Sequence, residues 1–399
     1  MFKQAFALIW VNLLAFRFRI IGSLVSILSI ACVAAVMLSV LAMTDGMMKT
    51  MARTGLDNTI LVMRAGATSE LQSVMFPAEV NILANNKLIK RDQDNQSIYS
   101  AEMFVSADYK GVMEQSVSLI TEESLALRGI SQGTYAFRPN FKLTEGELFT
   151  TGLKQIIVGQ AVARRFPEIK VGAVINLGDS QWQVSGIFSD DNSVFESEIW
   201  ADLGVVQSNF KRGNTVQSIR LALQELNTFE QLKSEWQADP RLNIRILEEK
   251  VFFAEQGQNL TRLIRWIGIP VALVMSLGAA VAALNTMYGA IAGRSKEIAT
   301  QKAIGFSAFA IFSAVISEAL LLALSGASIG IIPLYLLFDG WTASTQNAGN
   351  LSQMMFNFEI NSSLISQTIL LSLIIGLVGG LFPAIKAIRL PVTIALRDS

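Results

Sequence analysis

Four apolar stretches, each long enough to cross a bilayer, leave this chain few possible architectures. One lies near its start and three near its end, with a long, more polar segment between the first two. Ile20 to Thr44, Trp266 to Gly293 and Asn361 to Ile385 contain no charged residue, and Gly305 to Phe338 contains one, Glu318. A helix rising about 1.5 Å per residue needs roughly 20 apolar residues to span a hydrocarbon core of about 30 Å. All four therefore read as transmembrane helices. The first is longer than the roughly 7–15-residue apolar core of a secretory signal, and no small-residue cleavage site follows Met43, so it is expected to be retained.

Half of the residues are hydrophobic (51%), 16% are charged and the net charge is zero, which gives no reason to expect a nucleic-acid partner. The placement of charge says more. Lys3, Arg17 and Arg19 precede the first span, Arg294, Lys296 and Lys302 separate the second from the third, and Lys386, Arg389 and Arg397 follow the fourth. The loop from Asp339 to Ser362 has no Lys or Arg. By the excess of basic residues on the inner side, both termini and the 294–306 loop are expected in the cytoplasm, with the 45–262 segment outside. The single cysteine, Cys32, lies inside the first span, so the outer segment must be stable through its own core.

Phe2, Phe6, Ile9, Trp10 and Leu13 recur at helical spacing and predict a cytoplasmic amphipathic helix over 1–16, ahead of a first span over 17–44. In the outer segment, Thr59 to Arg64 reads as a strand, Pro77 opens a helix through about Asn85, and Ile98 to Tyr109 reads as a second strand. A similar β-α-β grouping returns at Gln217 to Leu223, Thr228 to Gln237 and Asn243 to Leu247. The two are expected to pair as one α+β subdomain, 58–126 plus 204–248. An inserted, mostly β subdomain is expected over 127–203, with strands at Gln155 to Val158, Ala173 to Leu177 and Gln181 to Ile187. From Glu248 a helical pattern runs without a strong breaker before Pro270, predicting a stalk helix over 249–262 that continues into the second span, 263–293. The third span (307–338), a short periplasmic loop (339–362), the fourth span (363–385) and a tail (386–399) complete the chain. Pro270 and Pro333 are expected to bend their helices near the outer ends.

Much chemistry is excluded. With no histidine there is no Ser-His-Asp triad or helical zinc-protease motif, and with no GxxxxGK(S/T) run there is no P-loop to cradle ATP. Asp190, Asp191, Glu196 and Glu198, beside Trp200, are carboxylates that could serve a glycosidase, but they read as solvated loop charge. No metal site is expected.

The cytoplasmic loop reads Arg294-Ser295-Lys296-Glu297-Ile298-Ala299-Thr300-Gln301-Lys302-Ala303-Ile304-Gly305, a short amphipathic helix closed by a glycine. Glu318 is the sole ionisable residue in the spans. It reads as a buried hydrogen bond or ion pair near the cytoplasmic end rather than a proton or ion site, since no second intramembrane charge completes a relay. Gly326 with Gly330, and Gly376 with Gly380, share helix faces and allow close helix packing.

The 294–305 run resembles the signature of FtsX-like ABC transporter permeases of the MacB type, nearly position for position. Glu318-Ala319 with Gly326 and Gly330, the tail Gly379-Gly380-Leu381-Phe382-Pro383-Ala384, and Ala395-Leu396-Arg397 extend the likeness. Leu127-Arg128-Gly129-Ile130, Ile157-Val158-Gly159 and Val184-Ser185-Gly186-Ile187-Phe188 look like that type's periplasmic core. The resemblance implies a non-catalytic, multi-pass permease of the bacterial inner membrane. A separate ATPase, which holds ATP and Mg, would move its periplasmic domain without substrate crossing through the membrane helices. Arg294, Lys296, Glu297, Lys302 and Gly305 would form the ATPase-coupling surface. The implied partners are that ATPase, a second permease copy (homodimer or heterodimer), membrane lipids, and a periplasmic adaptor with an outer-membrane channel. Export or extraction of a substrate is the expected role. Activation of a periplasmic hydrolase and release of lipoproteins are the alternatives.

Overall fold

The computed structural model describes residues 20–111, 121–346 and 353–391, together with Gln4, Phe6, Leu8 and Trp10. The chain divides into two compact units, one comprising Met1–Asp45, Leu263–Trp341 and Phe358–Ser399, the other Gly46–Arg262 and Thr342–Asn357. Helix α1 (Ile20–Arg53) does not stop at Thr44 as expected. Asp45 and Gly46 are no barrier to a helix whose next turns bury Met47, Thr50 and Met51. It ends just before Gly55, at a φ of 90° that glycine adopts without Cβ strain.

The second unit is built on a ten-stranded mixed sheet. Its elements are β1 (Thr59–Arg64), α2 (Pro77–Ala84), β2 (Tyr99–Gly111), β3 (Thr121–Ile130), β4 (Lys142–Gly146), β5 (Gln155–Gly159), α3 (Gln160–Arg165), β6 (Val174–Leu177), β7 (Ser180–Ser189), β8 (Glu198–Asp202), α4 (Leu203–Asn209), β9 (Ser218–Ala222), α5 (Phe229–Ala238) and β10 (Ile244–Glu248). Strand order is β10-β1-β9-β2-β3-β8-β5-β7-β4, with β6 against β2 and β7. The β1-α2-β2 and β9-α5-β10 groups interlock: β1 lies between β9 and β10, and β9 between β1 and β2, all antiparallel. Each group thus receives a strand of the other between its own two, a split β-α-β arrangement.

The expected boundary residue, Leu127, falls within β3. β3 pairs along the second half of β2 and, in parallel, with β8. The 13-residue β2 is long enough to serve both halves: Tyr99 to Glu102 face β9, and Met103 to Gly111 face β3. One sheet therefore crosses what the sequence divides into two subdomains, while the apolar cores stay separate. Ile60, Ile219, Leu221, Leu232 and Trp236 fill one, and Val105, Leu127, Ile156, Trp182 and Ile199 fill the other.

The loop over 339–362 is more than a connection. Thr342–Gln346 (β11) and Gln353–Asn357 (β12) form an antiparallel hairpin that belongs to the sheet-rich unit, where Met355 enters the second core. Residues 347–352 lie outside the described residues.

Helix α6 (Glu249–Gly293) runs uninterrupted for 45 residues, with Pro270 inside it. The helical unit continues with α7 (Ser295–Ala303), α8 (Ala308–Phe338, containing Pro333) and α9 (Ser362–Arg389). Ser307 and Asn361 cap the last two, accepting from Ala310 N and Leu364 N. Helices α1, α6, α8 and α9 are each long and apolar enough to cross a membrane. Of the helix expected over 1–16, the four described positions are helical. Phe6 and Trp10 are exposed, and Leu8 is buried beside Ile27, Met287 and Ile311. Its other positions, with Arg17, Arg19 and Arg397, lie outside the described residues.

Candidate functional site

Within the helical unit, the charges in and beside α7 resolve into two sets. Arg294 turns inward, and its guanidinium donates to Glu318 Oε2 at 2.5 Å, with side-chain exposures of 12% and 6%. Lys302 Nζ donates to the carbonyls of Ile388 and Leu390, each at 2.7 Å. These carbonyls are at the C-terminal end of α9, where a helix leaves acceptors unsatisfied and its dipole favours a cation. Ile298 and Ala299 are buried beneath α7. Lys296, Glu297, Thr300 and Ile304 lie on the exposed side, Ile304 at 72%. Gly305, at a φ of 100° and exposed, ends the segment. Of the five residues assigned to the coupling surface, Arg294 and Lys302 thus bind α8 and α9, and Lys296, Glu297 and Gly305 are exposed.

The glycines mark where helices of this unit approach closely. A Cβ on Gly326 would come within 2.8 Å of Ile27 O, and one on Gly330 would overlap the Ala31 carbonyl, so both face α1. Gly376 and Gly380 face Ala323 and Ala319 of α8, and Gly379 faces Ala283 of α6. Close backbone approach maximises dispersion contact where no water is available to drive association.

The sheet-rich unit holds a buried ionic cluster that the sequence reading did not single out. All five N–H donors of Arg128 are used: Nε and Nη2 bind Glu198 at 2.7 Å each, and Nη1 and Nη2 reach Glu70 at 3.0 and 2.9 Å. The fifth bond joins Nη1 to Glu102 at 2.8 Å. Arg220 binds Glu249 through Nε at 2.7 Å and Glu102 through Nη1 at 2.5 Å. Arg138 donates to Phe137 O at 2.7 Å and lies with its guanidinium carbon 3.6 Å from the centre of the Phe195 ring. Burial opposes the ionisation of Glu70 and Glu102, but the neighbouring guanidiniums outweigh it and hold both carboxyls below the usual range. Burial lowers Arg138 more than its carboxylates raise it. The signal that would have revealed the cluster is an arginine at an inward position of an apolar strand, as in Leu127-Arg128 and Ile219-Arg220-Leu221.

Of the carboxylates at 190–198, Asp191 is the exposed loop charge expected from sequence, whereas Asp190, Glu196 and Glu198 are buried. Glu198 is buried against Arg128 and Trp200 Nε1, and Glu196 Oε1 accepts from the amides of Asp190 and Asn192 at 2.7 and 2.9 Å. Burial pushes the Asp190 carboxyl up, against a hydrogen bond from Ser193. These groups shape a turn, and local hydrogen bonding consumes the acceptors a hydrolytic pair would need. Among the described residues, no group of His, Cys, Asp and Glu is arranged to hold a metal ion.

Four helices long and apolar enough to cross a membrane, a short amphipathic helix pinned among them and a large sheet-rich unit describe a membrane protein with an appended mixed-sheet domain. The MacB-like periplasmic core domain family matches residues 23–239, and the FtsX-like permease C-terminal family matches residues 269–392. The chain belongs to the FtsX-like ABC transporter permeases that carry a MacB-like periplasmic core domain. It is 28% identical over 233 residues to an uncharacterized ABC transporter permease of Methanocaldococcus jannaschii, covering 56% of each chain. It is 25% identical over 292 residues to the macrolide export ATP-binding/permease protein MacB of Escherichia coli, covering 68% of this chain and 43% of that one. The chain thus spans about half the length of the curated relatives it matches. The periplasmic region of MacB from Actinobacillus actinomycetemcomitans aligns with 49% of the chain at 16% identity and a TM-score of 0.37, covering 90% of that structure.

Proposed function

We propose that this chain is the non-catalytic permease subunit of an ABC transporter complex in a bacterial inner membrane. One span precedes the periplasmic domain and three follow it, with both termini and α7 in the cytoplasm, as the basic residues flanking the spans favour. A separate ATPase subunit holds ATP and Mg and docks on α7. Two copies of the permease, identical or different, assemble with it, and a periplasmic adaptor receives the motion. The activity is export or extraction of a substrate by mechanotransmission.

The observation that carries this reading is the way α7 is fastened. Arg294 ties its start to α8 through Glu318, and Lys302 ties its end to α9 through two carbonyls. A force on the exposed face formed by Lys296, Glu297, Thr300 and Ile304 would be passed to two spans instead of bending a loop. Helices α1 and α6 support the next step, since each continues without a break from apolar residues into the domain's sequence. Within the domain, Glu249 Oε2 accepts from Leu56 N at 3.3 Å, and Gly257 packs on Met48 and Met51. A rigid helix pair transmits displacement that a flexible linker would absorb.

The test is purification of the tagged chain from its native host in mild detergent. An ATPase should co-elute, and Ile304→Asp or Lys296→Glu should reduce its recovery without lowering the yield of folded permease. Failure to recover an ATPase with the unsubstituted chain in several detergents would overturn the reading. A co-eluting adaptor supports transport, and a co-eluting envelope hydrolase supports activation.

A further inference from the structure

One short turn of the sheet-rich unit gathers contacts from every chain segment that joins this unit to an apolar helix. The turn is Asp190–Glu198. Thr54 Oγ1, just past α1, accepts from Val194 N at 3.0 Å. Phe253, in the first turns of α6, packs edge-on against Phe195 with ring centres 5.7 Å apart. The β11–β12 hairpin, which the chain inserts between α8 and α9, binds the same turn twice. Ser197 Oγ accepts from Met355 N at 2.9 Å and donates to Met355 O at 3.2 Å, and Asn357 Nδ2 donates to Asn192 Oδ1 at 3.0 Å. Met355 and Phe356 are each only 2% exposed.

The turn itself has a fixed backbone shape. Asp191 and Asn192 adopt consecutive left-handed conformations, with φ of 52° and 54°. Asp and Asn tolerate this region better than other side chains, and the surrounding bonds fix it here. Glu196 supplies part of that constraint through the Asp190 and Asn192 amides. The Phe195 ring supplies another, because the guanidiniums of Arg128, Arg138 and Arg220 all lie within 6 Å of its centre, at 5.6, 3.6 and 5.7 Å. Two glycines permit the close fit: a Cβ on Gly159 would overlap the Glu196 backbone, and one on Gly46 would overlap Asn357 O.

We propose that Asp190–Glu198 is a rigid mechanical junction, at which the β11–β12 hairpin meets the ends of α1 and α6 within the sheet-rich unit. The hairpin is then a second track for motion, separate from the α1–α6 helix pair. This inference rests on the permease reading for its functional consequence, but not for its structural one.

The structural part is tested on the full chain in detergent by hydrogen exchange. The Met355 amide should be protected at least about 100-fold over an open loop. Exchange at loop rates would overturn the junction whether or not an ATPase is ever found. The functional part uses a Cys32→Ser background and the complex with the co-purified ATPase. Nucleotide should change the exchange pattern of the sheet-rich unit. Ser197→Ala should diminish that change while ATP hydrolysis stays within about twofold of the parent. Adding Asn192→Cys with Asn357→Cys and oxidising the pair should restore it. A disulfide that instead blocks the nucleotide response in the parent would show that the turn must open, and a Ser197→Ala variant that responds normally would show that the hairpin is not in the path. Either result overturns the proposal.

Discussion

The Arg294 guanidinium meets the Glu318 carboxylate at 2.5 Å, joining the residue that caps α7 to the one acidic side chain inside α8. Removing one partner of a buried ion pair leaves an uncompensated charge, at a cost of about 3–5 kcal/mol. Glu318→Gln and Arg294→Gln should each lower the thermal midpoint in detergent. The double variant should recover most of the loss, because neither charge is then stranded. Strictly additive losses would show that the two residues act independently.

Lys302 is a clamp on the C-terminal end of α9. Lys302→Met removes two charge-assisted bonds and should destabilise the helical unit by about 1.5–3 kcal/mol, with Lys302→Arg retaining part of it. Lys296→Met, on the exposed face, should leave the thermal midpoint within the scatter of the measurement. The comparison separates residues that hold α7 from those that face outward, and equal midpoint shifts at 296 and 302 would contradict the placement.

Glycine positions with and without neighbours should respond oppositely. Gly330 sits against Ala31 and Ala34, so Gly330→Leu forces the backbones of α1 and α8 apart and should cost at least about 1–3 kcal/mol. Open space surrounds the position a Cβ would take at Gly278, so Gly278→Ala should be neutral or stabilise α6 by up to about 1 kcal/mol. Unfolding in a detergent series reads both.

The buried cluster sets an acid limit on the sheet-rich unit. Glu70 and Glu102 have folded-state values below the 4.5 of a free glutamate, so their contribution is present in full above that value. It is lost as pH falls through the lower folded values. Stability followed by the fluorescence of Trp182, Trp200 and Trp236 should therefore be insensitive to these groups at neutral pH and decline below about pH 4. Arg128→Met, which strands Glu198 and leaves Glu70 and Glu102 with one arginine fewer, should cost on the order of 3–5 kcal/mol at neutral pH and raise the pH of acid unfolding.

Much of this arrangement is legible in the residues. Pro77 and the alternating run at Thr59–Arg64 place α2 and β1 with little error, because proline suits a first helical turn and β-branched alternation suits a strand. The α7 segment is also legible, since a glycine at positive φ ends it. The direction of its charges is not: Arg294 and Lys302 look as available as Lys296 until the ends of α8 and α9 are brought beside them.

The sequence by itself determined the four long apolar helices, the sheet-rich segment between the first two and the family signature at 294–305, because length, hydropathy and local spacing are properties of neighbours in the chain. Only the tertiary structure decided that Arg128 and Arg220 are buried among Glu70, Glu102, Glu198 and Glu249, that β2 serves both halves of one sheet, and that Met355 binds Ser197. Met355 and Ser197 are 158 positions apart, and their pairing has value only once the sheet excludes water around them. Local spacing carries no record of such a partner.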